Sequence, residues 1–348
     1  MSFRAWMSIF TFLLIAVIVF FSRHELYRAW ELLGQVNIWL LLLLIPLQIL
    51  SYYAVGEMVF SYLRSKKSID HIPPLTLARL SLEMNFVNHI LPSGGVSGVS
   101  YMSWRLGGYG VSAGRATMAQ GVRFTMGFAA YITLLLLALL AVTIDGNINR
   151  WIILVSGALI TFLVGTMVGG VFLISSSARI TKFGQWLTRS INTLVRRVSF
   201  GRVKKLLKDD KVHNFLHDIH TDFVELRREK RILLKPFLWG ILMNITEVGL
   251  FMVTFWALGE SVNPAPIMIA FGVATFAGVF VVTPGGAGAY EAIMVGFVTL
   301  AGVSGSVAIA GIVLTRVILL FGTIVLGYVF YQLALLKYGK GNKPNLQR

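Results

Sequence analysis

The sequence predicts an all-α polytopic integral membrane protein, and three observations carry this prediction. Of the 348 residues, 56% are hydrophobic, and the mean hydropathy is +0.75. Only 13% are charged, against about 25% in a typical soluble domain. The apolar residues lie in long runs, and about 20 apolar residues are what one helix needs to cross a bilayer. Together these observations exclude an ordinary soluble protein.

Apolar segments suited to membrane helices occur along almost the whole chain. They are 5–22, 37–63, 73–91, 112–142, 151–174, 236–259, 264–283, 286–303 and 305–336. The first follows Arg4 like the start of a signal peptide, but it ends in FFSRH without a small-residue cleavage pattern. We therefore expect it to remain as a membrane span.

Segment 175–235 differs from the apolar runs around it. It holds 15 Lys or Arg against 6 Asp or Glu, with apolar residues at helical spacing such as Phe215, Ile219 and Phe223. It is expected to form basic cytoplasmic helices. Two arrangements fit equally well, namely helices on the membrane surface and a solvated helical hairpin.

Basic loops orient the chain, because Lys and Arg accumulate on the cytoplasmic side of membrane proteins. Loop 64–72, segment 175–235 and the C-terminal tail are all basic. Cytoplasmic positions for them put both termini inside a cell (inner) membrane. Segment 73–110 then begins and ends inside, and 264–303 begins and ends outside. We predict about six full transmembrane helices plus two re-entrant helical hairpins, although two short spans would fit the second hairpin equally well.

The prolines at the two hairpins repeat at the same interval. Pro74 precedes Pro92 by 18 residues, and Pro266 precedes Pro284 by 18. A Gly-Val-Ser tripeptide begins 18 residues after each second proline, at Gly110 and again in the second half. The shared interval indicates an internal repeat within one transmembrane domain, 1–348.

The predicted repeat units are 37–142 and 236–336, and their expected orientations are opposite. Inverted repeats with broken helices at their interface are common in secondary transporters. Irregular backbone at membrane depth is tolerated only where protein or a water-filled cavity covers it. Amides at the start of a half-helix attract anions. The alternative is that the glycines only permit tight helix packing.

The sequence also resembles a known family at these breaks. The features are the PSGG run at 92–95 followed by Arg105, the Pro-Gly-Gly-x-Gly-x-x-Glu run at 284–291, and Arg316 in the last helix. Over nearly the whole chain it resembles the lysylphosphatidylglycerol synthase transmembrane region, the flippase-like membrane half of the multiple peptide resistance factor. It looks like a stand-alone member without the soluble synthase domain.

The resemblance implies an inner-membrane protein that moves lipids between leaflets or helps to do so. The best-known lipid of the family is aminoacylated phosphatidylglycerol, and stand-alone members are tied to polyprenyl-phosphate-linked sugars and other envelope lipids. The expected partners are therefore a membrane phospholipid or a polyprenyl-phosphate-linked lipid, and an envelope-lipid synthase. Lysylphosphatidylglycerol itself is in doubt because the chain leaves no room for a synthase domain.

The predicted headgroup site consists of intramembrane arginines and corner glycines. Arg123 and Arg316 each lie about twelve residues into an apolar helix, so each is about 18 Å deep. A charge at that depth usually faces a cavity or a partner. Arg105 either receives a headgroup at the cytoplasmic mouth or anchors the chain there. The glycines expected to hold the phosphate through backbone amides are Gly94, Gly95, Gly285, Gly286 and Gly288.

Further polar residues in the apolar segments divide into two predicted groups. Three carboxylates are expected to balance charge or couple to a cation: Glu57, Glu247 and Glu291. Five residues are expected to line the cavity or to form a hydrogen-bonded network: Glu83, Asn85, Asn88, His89 and Asn244. His89 could relay a proton.

Several functional classes have no signal in the sequence. The chain has no cysteine, which excludes thiol chemistry and cysteine-based metal sites. It has no phosphate-binding loop and no nucleic-acid motif. His213, His217 and His220 lie on a charged helix that we interpret as a solvated face. We expect no metal, no cofactor and no nucleic-acid partner.

The sequence therefore favours a lipid flippase or transporter for an amphiphile with an anionic headgroup over an enzyme. The alternative is an integral glycosyl- or aminoacyl-lipid transferase that uses Glu83, His89 or Glu291 as a base. A further alternative is a non-catalytic scaffold for an envelope-lipid synthase. The oligomeric state cannot be derived from these patterns.

Overall fold

The computed structural model describes most of the chain, and all of its regular elements are helices. The described residues are 27, 34, 36–91, 96–144, 150–198, 209–280 and 288–338. No strand occurs in these ranges, which confirms the all-α class. The predicted span 5–22 and the corner glycines Gly94, Gly95, Gly285 and Gly286 lie outside them.

Twelve α-helices follow one another in the described ranges, with a short 3-10 helix, Lys230–Leu233, before the ninth. They are α1 (Ile38–Leu42), α2 (Leu44–Ser65), α3 (Pro74–Ile90), α4 (Val96–Gly107), α5 (Ala113–Ile144), α6 (Arg150–Ile174), α7 (Ser177–Val198), α8 (Asp209–Arg228), α9 (Leu234–Ala257), α10 (Pro264–Phe280), α11 (Ala289–Leu300) and α12 (Gly305–Tyr338).

Five helical segments are long and apolar enough to cross a membrane. They are Ile38–Ser65, Ala113–Ala141, Ile153–Ile174, Lys230–Ala257 and Gly305–Ala334. They coincide with five of the six full spans predicted from the sequence, and the sixth is the segment outside the described residues. The chain is a multi-pass membrane protein.

The helices of the two halves follow the same sequence of lengths. Helices α2 to α5 have 22, 17, 12 and 32 residues, and α9 to α12 have 24, 17, 12 and 34. At 1.5 Å per residue, a 12-residue helix is about 18 Å long, well below the roughly 30 Å of a hydrocarbon core. Helices α4 and α11 are therefore each too short to cross a bilayer.

Helices α2 and α9 pack against each other at the centre of the fold and run in opposite directions. The Asn37 N–H before α2 donates to the Ala257 carbonyl at the end of α9, at 2.9 Å. Further along, the Met58 side chain of α2 lies beside Gly240 near the start of α9. The two helices are thus antiparallel.

The shorter helices pack reciprocally on the long helices of the opposite half. Helix α3 lies on α12, and α10 lies on α5. In the first contact Phe86 packs directly against Gly327. In the second, the Tyr131 hydroxyl donates to the Met268 carbonyl at 3.0 Å. Each broken segment is therefore covered by a long helix from the other half of the chain.

Helix α8 is held to the transmembrane helices by ion pairs. The Arg115 guanidinium at the start of α5 donates to the Asp222 carboxylate at 3.1 Å and to the Ser68 hydroxyl at 3.2 Å. Lys66, in the α2–α3 loop, donates to Glu225 at 2.9 Å and lowers the pKa of that carboxyl. The α2–α3 loop and the basic helical segment therefore lie on the same side of the protein.

We expect Gly327→Ala to destabilise the fold, because its Cβ would overlap the Cβ of Phe86, and that atom can move only if α3 and α12 separate. Overpacking of this kind costs about 1–3 kcal/mol. Thermal unfolding in detergent, followed by size-exclusion chromatography, measures the effect. Gly165→Ala in α6 is the matched control, since its Cβ would meet no atom within 4 Å. Equal melting temperatures for the two variants would contradict the close packing.

Candidate functional site

Helix α11 begins at a glycine with an unusual backbone conformation. Gly288 has φ +89°, in the left-handed region that favours glycine. Its N–H donates to the Glu291 carboxylate Oε2 at 2.6 Å, so a side chain in the first turn of α11 caps this backbone amide. A carboxylate at this position is stabilised because a helix N-terminus carries partial positive charge.

The other oxygen of the same carboxylate accepts a hydrogen bond from an intramembrane arginine. Nε of Arg316, in α12, donates to Glu291 Oε1 at 2.8 Å. The guanidinium carbon lies 4.3 Å from the ring centroid of Tyr290, within the range of a cation–π contact. The Arg316 side chain is 23% exposed, and that of Glu291 is 11% exposed. The Arg316 side chain thus keeps some accessible surface, whereas Glu291 is largely buried.

Helices α2 and α9 place a second carboxylate near this pair. Glu247 accepts a hydrogen bond from the Ser51 hydroxyl and interacts electrostatically with Arg316. Glu247 is half-buried, like Arg316. Arg316 is thus paired with Glu291, and a second carboxylate, Glu247, lies within electrostatic range.

Tyr52 and His89 complete this group. The Tyr52 hydroxyl accepts from Gln48 Nε2 at 3.1 Å and hydrogen-bonds the Thr323 hydroxyl. The His89 ring lies 6.0 Å from the Tyr52 ring, and both residues interact electrostatically with Arg316. We call this set the Arg316 cluster: Arg316, Glu291, Tyr290, Glu247, Tyr52 and His89.

Glu83 and Arg105 form a separate, more deeply buried ion pair. Glu83 Oε2 accepts from Arg105 Nε at 3.0 Å and from the Tyr101 hydroxyl at 2.8 Å. Arg105 is only 5% exposed and Glu83 only 1%. The pair joins α3 to α4 across the first helix break. Arg105 is therefore enclosed by protein, unlike an anchoring arginine at an exposed surface.

The predicted cavity-lining amides mostly bond to their own helices. Asn85 Nδ2 donates to the Ser81 carbonyl at 2.9 Å, and Asn244 Nδ2 to the Gly240 carbonyl at 2.8 Å. The Asn88 Oδ1 is buried and has no hydrogen-bond partner among the described residues. Of these three side chains, Asn88 retains an acceptor for another group.

Glu57 lies in α2 and takes a local partner. It forms an ion pair with Arg64, seven residues further along the chain, whose side chain is 41% exposed. It does not pair with Arg123 or Arg316. Its carboxylate is therefore satisfied outside the Arg316 cluster.

Arg123, in α5, has no carboxylate partner among the described residues. It is half-buried, its Nε is inaccessible and has no hydrogen-bond partner in the described part of the chain. Its guanidinium carbon lies 4.3 Å from the ring centroid of the neighbouring Phe124. Within the described residues, Arg316 is therefore paired with a carboxylate and Arg123 is not.

The histidines of α8 are not arranged for metal binding. Nδ1 of His220 forms a hydrogen bond with the Ile174 carbonyl at 2.8 Å, which ties α8 to the end of α6. The His213 side chain lies outside the described part. Across the described residues, no group of three His, Cys, Asp or Glu side chains could hold a metal ion.

Sequence reasoning missed several neutral members of the site. Ser51 donates to Glu247, Tyr290 lies against Arg316, and Tyr101 donates to Glu83. Gln48 donates to Tyr52, which also bonds Thr323. Hydroxyl groups are common in apolar helices, so composition alone does not single them out. Gln48 offered the clearest signal, as a neutral polar residue in the middle of the apolar run 37–63.

The family described as "Lysylphosphatidylglycerol synthase TM region" matches residues 8–327, which is most of the chain. A UPF0104 membrane protein from Methanothermobacter thermautotrophicus is 26% identical over 250 residues. That alignment covers 71% of this chain and 70% of the relative. No solved structure matches the chain.

We expect Glu291→Ala to destabilise the protein more than Glu291→Gln. Alanine removes both the cap on Gly288 and the partner of Arg316, whereas the glutamine oxygen can still accept one of these hydrogen bonds. Loss of an N-terminal cap costs about 0.5–2 kcal/mol, and loss of a charged hydrogen bond about 1.5–3 kcal/mol. Glu57→Ala is the control, because its partner Arg64 is 41% exposed and water can replace the lost carboxylate. Apparent melting temperatures in detergent should fall in the order Glu57→Ala, Glu291→Gln, Glu291→Ala; a Glu291→Ala variant as stable as the parent protein would refute the assignment.

Proposed function

We propose that this chain, which belongs to the lysylphosphatidylglycerol synthase transmembrane-region family, moves an amphiphile with an anionic, phosphate-containing headgroup between the leaflets of a cell membrane. The observation that carries the proposal is the Arg316–Glu291 pair at the start of α11. It combines a partly accessible guanidinium with a helix N-terminus. These are the groups that bind phosphate elsewhere.

In this mechanism the Glu291 carboxylate occupies the anion position while no lipid is bound. It accepts from both Gly288 N–H and Arg316 Nε, which are donors that a phosphate oxygen could use equally well. An arriving headgroup would exchange with the carboxylate. The carboxylate keeps the arginine paired in the absence of lipid, which avoids the cost of an isolated charge in the membrane.

Arg123 is the second proposed headgroup contact. An uncompensated guanidinium in hydrocarbon costs several kcal/mol, and its Nε has no partner among the described residues. A lipid phosphate would supply the missing counter-charge. Arg123 would therefore attract an anionic lipid. At Arg316 the lipid phosphate would then replace the Glu291 carboxylate.

The fold supports a further part of the proposal, namely that the two halves form an inverted repeat with re-entrant hairpins. The first helices of the proposed units, α2 and α9, are antiparallel, and the unit lengths agree helix by helix. Each hairpin packs on the last helix of the other unit. In transporters this arrangement allows one half to rock against the other around a fixed site.

The proposed orientation places both termini in the cytoplasm of an inner membrane. The ion pair between Lys66 and Glu225 supports it, because it joins the two most basic parts of the described chain on one side. The substrate would be a phospholipid or a polyprenyl-phosphate-linked lipid made on that side. An envelope-lipid synthase would supply it.

Reconstitution in liposomes tests the proposal. The fluorescent test lipids are phosphatidylglycerol, lysylphosphatidylglycerol and a polyprenyl-phosphate sugar. Phosphatidylcholine, which is zwitterionic and has no net charge, is the comparison lipid. A membrane-impermeant quencher reports the leaflet of each. We expect protein-dependent equilibration of at least one phosphate lipid with an anionic headgroup.

Arg316→Ala and Arg123→Ala should each slow that movement about tenfold or more, because a lost charged hydrogen bond costs about 1.5–3 kcal/mol and 1.4 kcal/mol is tenfold. Arg64→Ala is the matched control, since Arg64 is a paired but largely exposed arginine. Arg316→Lys should restore part of the rate. If both alanine variants fold and transport at the parental rate, the mechanism is wrong. If no lipid moves at all, the transferase and scaffold alternatives gain support.

A further inference from the structure

Helix α7 has three faces, and one of them packs against the described part of the protein. Its 22 residues include five Lys or Arg and no Asp or Glu. Ile180, Gly184 and Thr188 are buried and lie one turn apart. Gly184 is in close contact with Leu216 of α8. The buried face of α7 is therefore already occupied by the neighbouring helix.

A second face of α7 exposes large apolar side chains. Phe183 is 39% exposed, Trp186 61% and Leu187 36%. Their i, i+3, i+4 spacing places them on one side of the helix. The Phe183 and Trp186 rings are 5.7 Å apart, so they form one patch. We call these three residues the α7 apolar stripe.

The stripe continues the exposed apolar surface of a membrane span. Helix α6 ends at Ile174, only three residues before α7 begins. Phe172 near that end is 61% exposed, and the Arg179 guanidinium carbon lies 3.6 Å from its ring centroid. Arg179 precedes Phe183 by one helical turn and Trp186 by two. The stripe therefore begins where the lipid-facing side of α6 ends.

Exposed cations follow one edge of the stripe. Lys182 and Arg189 lie one turn before and one turn after Trp186, and both side chains are exposed. No acidic residue of α7 offsets them. An apolar stripe bordered by cations matches the boundary between acyl chains and anionic headgroups, where tryptophan is also enriched.

We propose that α7 is an interfacial helix whose apolar stripe inserts among the headgroups of an anionic membrane leaflet, with Lys182 and Arg189 binding lipid phosphates. This role is separate from the proposed transport site and does not depend on it. Charge complementarity and the continuity with α6 favour a lipid surface over a solvated hairpin. Helix α7 would hold the α7–α8 arm against the membrane, next to the ion pairs by which α8 contacts α5.

Site-specific labelling tests this proposal directly, because the chain contains no cysteine. Trp186→Cys and Gln185→Cys each create one labelling site for an environment-sensitive fluorophore. Gln185 is exposed on the third, polar face, so it serves as the matched control. The full-length variants are reconstituted in vesicles of phosphatidylcholine alone or with about one third phosphatidylglycerol.

We expect the label at position 186 to be protected from aqueous iodide at least threefold better than the label at 185, and to be quenched by lipids with a shallow nitroxide. The protection should be larger in the anionic vesicles. Lys182→Gln with Arg189→Gln should remove that difference between the vesicles. Equal iodide accessibility at 185 and 186 would overturn the proposal in favour of a solvated hairpin.

Two further outcomes also count against it. Protection at 186 that is lost when protein is diluted with lipid would mean that a second copy of the chain covers the stripe. Protection that is identical in neutral and anionic vesicles, with or without the two cations, would refute the recognition of anionic lipid. Both measurements report only how α7 lies relative to the membrane, so their outcome does not depend on whether lipid transport is detected.

Discussion

The position of charge inside hydrocarbon is the constraint on which the rest of this structure depends. An unpaired guanidinium at membrane depth costs several kcal/mol, so an arginine there needs a partner of opposite charge. The partner of Arg316 is Glu291 in the first turn of α11. There Gly288 turns the backbone, and Glu291 caps the new helix. The helix break, the carboxylate and the arginine are therefore joined in one hydrogen-bonded unit.

Broken helices impose a second requirement, which the long helices satisfy. Backbone amides and carbonyls near a break cannot face lipid, since no water is available there to bond them. Helix α12 covers α3, and α5 covers α10, at contacts so close that glycine replaces a larger side chain, as at Gly327 and Gly272. Small residues thus allow close packing of α3 on α12 and of α10 on α5. The charged pair Glu291–Arg316 lies instead at the start of α11. The corner glycines Gly94, Gly95, Gly285 and Gly286 lie outside the described residues, so their role stays a prediction.

The spans and breaks of this chain could be predicted because each is a local property. Hydropathy over about 20 residues locates a span, and proline with glycine locates a break. The pairing of charges could not be predicted in the same way, because it depends on distances across the fold. Glu83 and Arg105 are 22 residues apart and meet only when α3 and α4 fold together, whereas Glu57 takes the nearby Arg64. The charged residues are visible in the sequence, but only the fold shows that the Glu83–Arg105 pair is enclosed while Arg316 and Arg64 keep accessible surface.

The two intramembrane arginines show why this distinction matters for function. A transport site must hold a headgroup firmly enough to draw it from the lipid and loosely enough to release it. A cation whose resident partner is a carboxylate meets both needs, because binding and release become an exchange of one anion for another. Arg316 has such a partner and Arg123 has none among the described residues. In the proposed mechanism, that asymmetry would let a lipid phosphate bind first at Arg123 and then exchange with the Glu291 carboxylate at Arg316, which two identical sites would not provide.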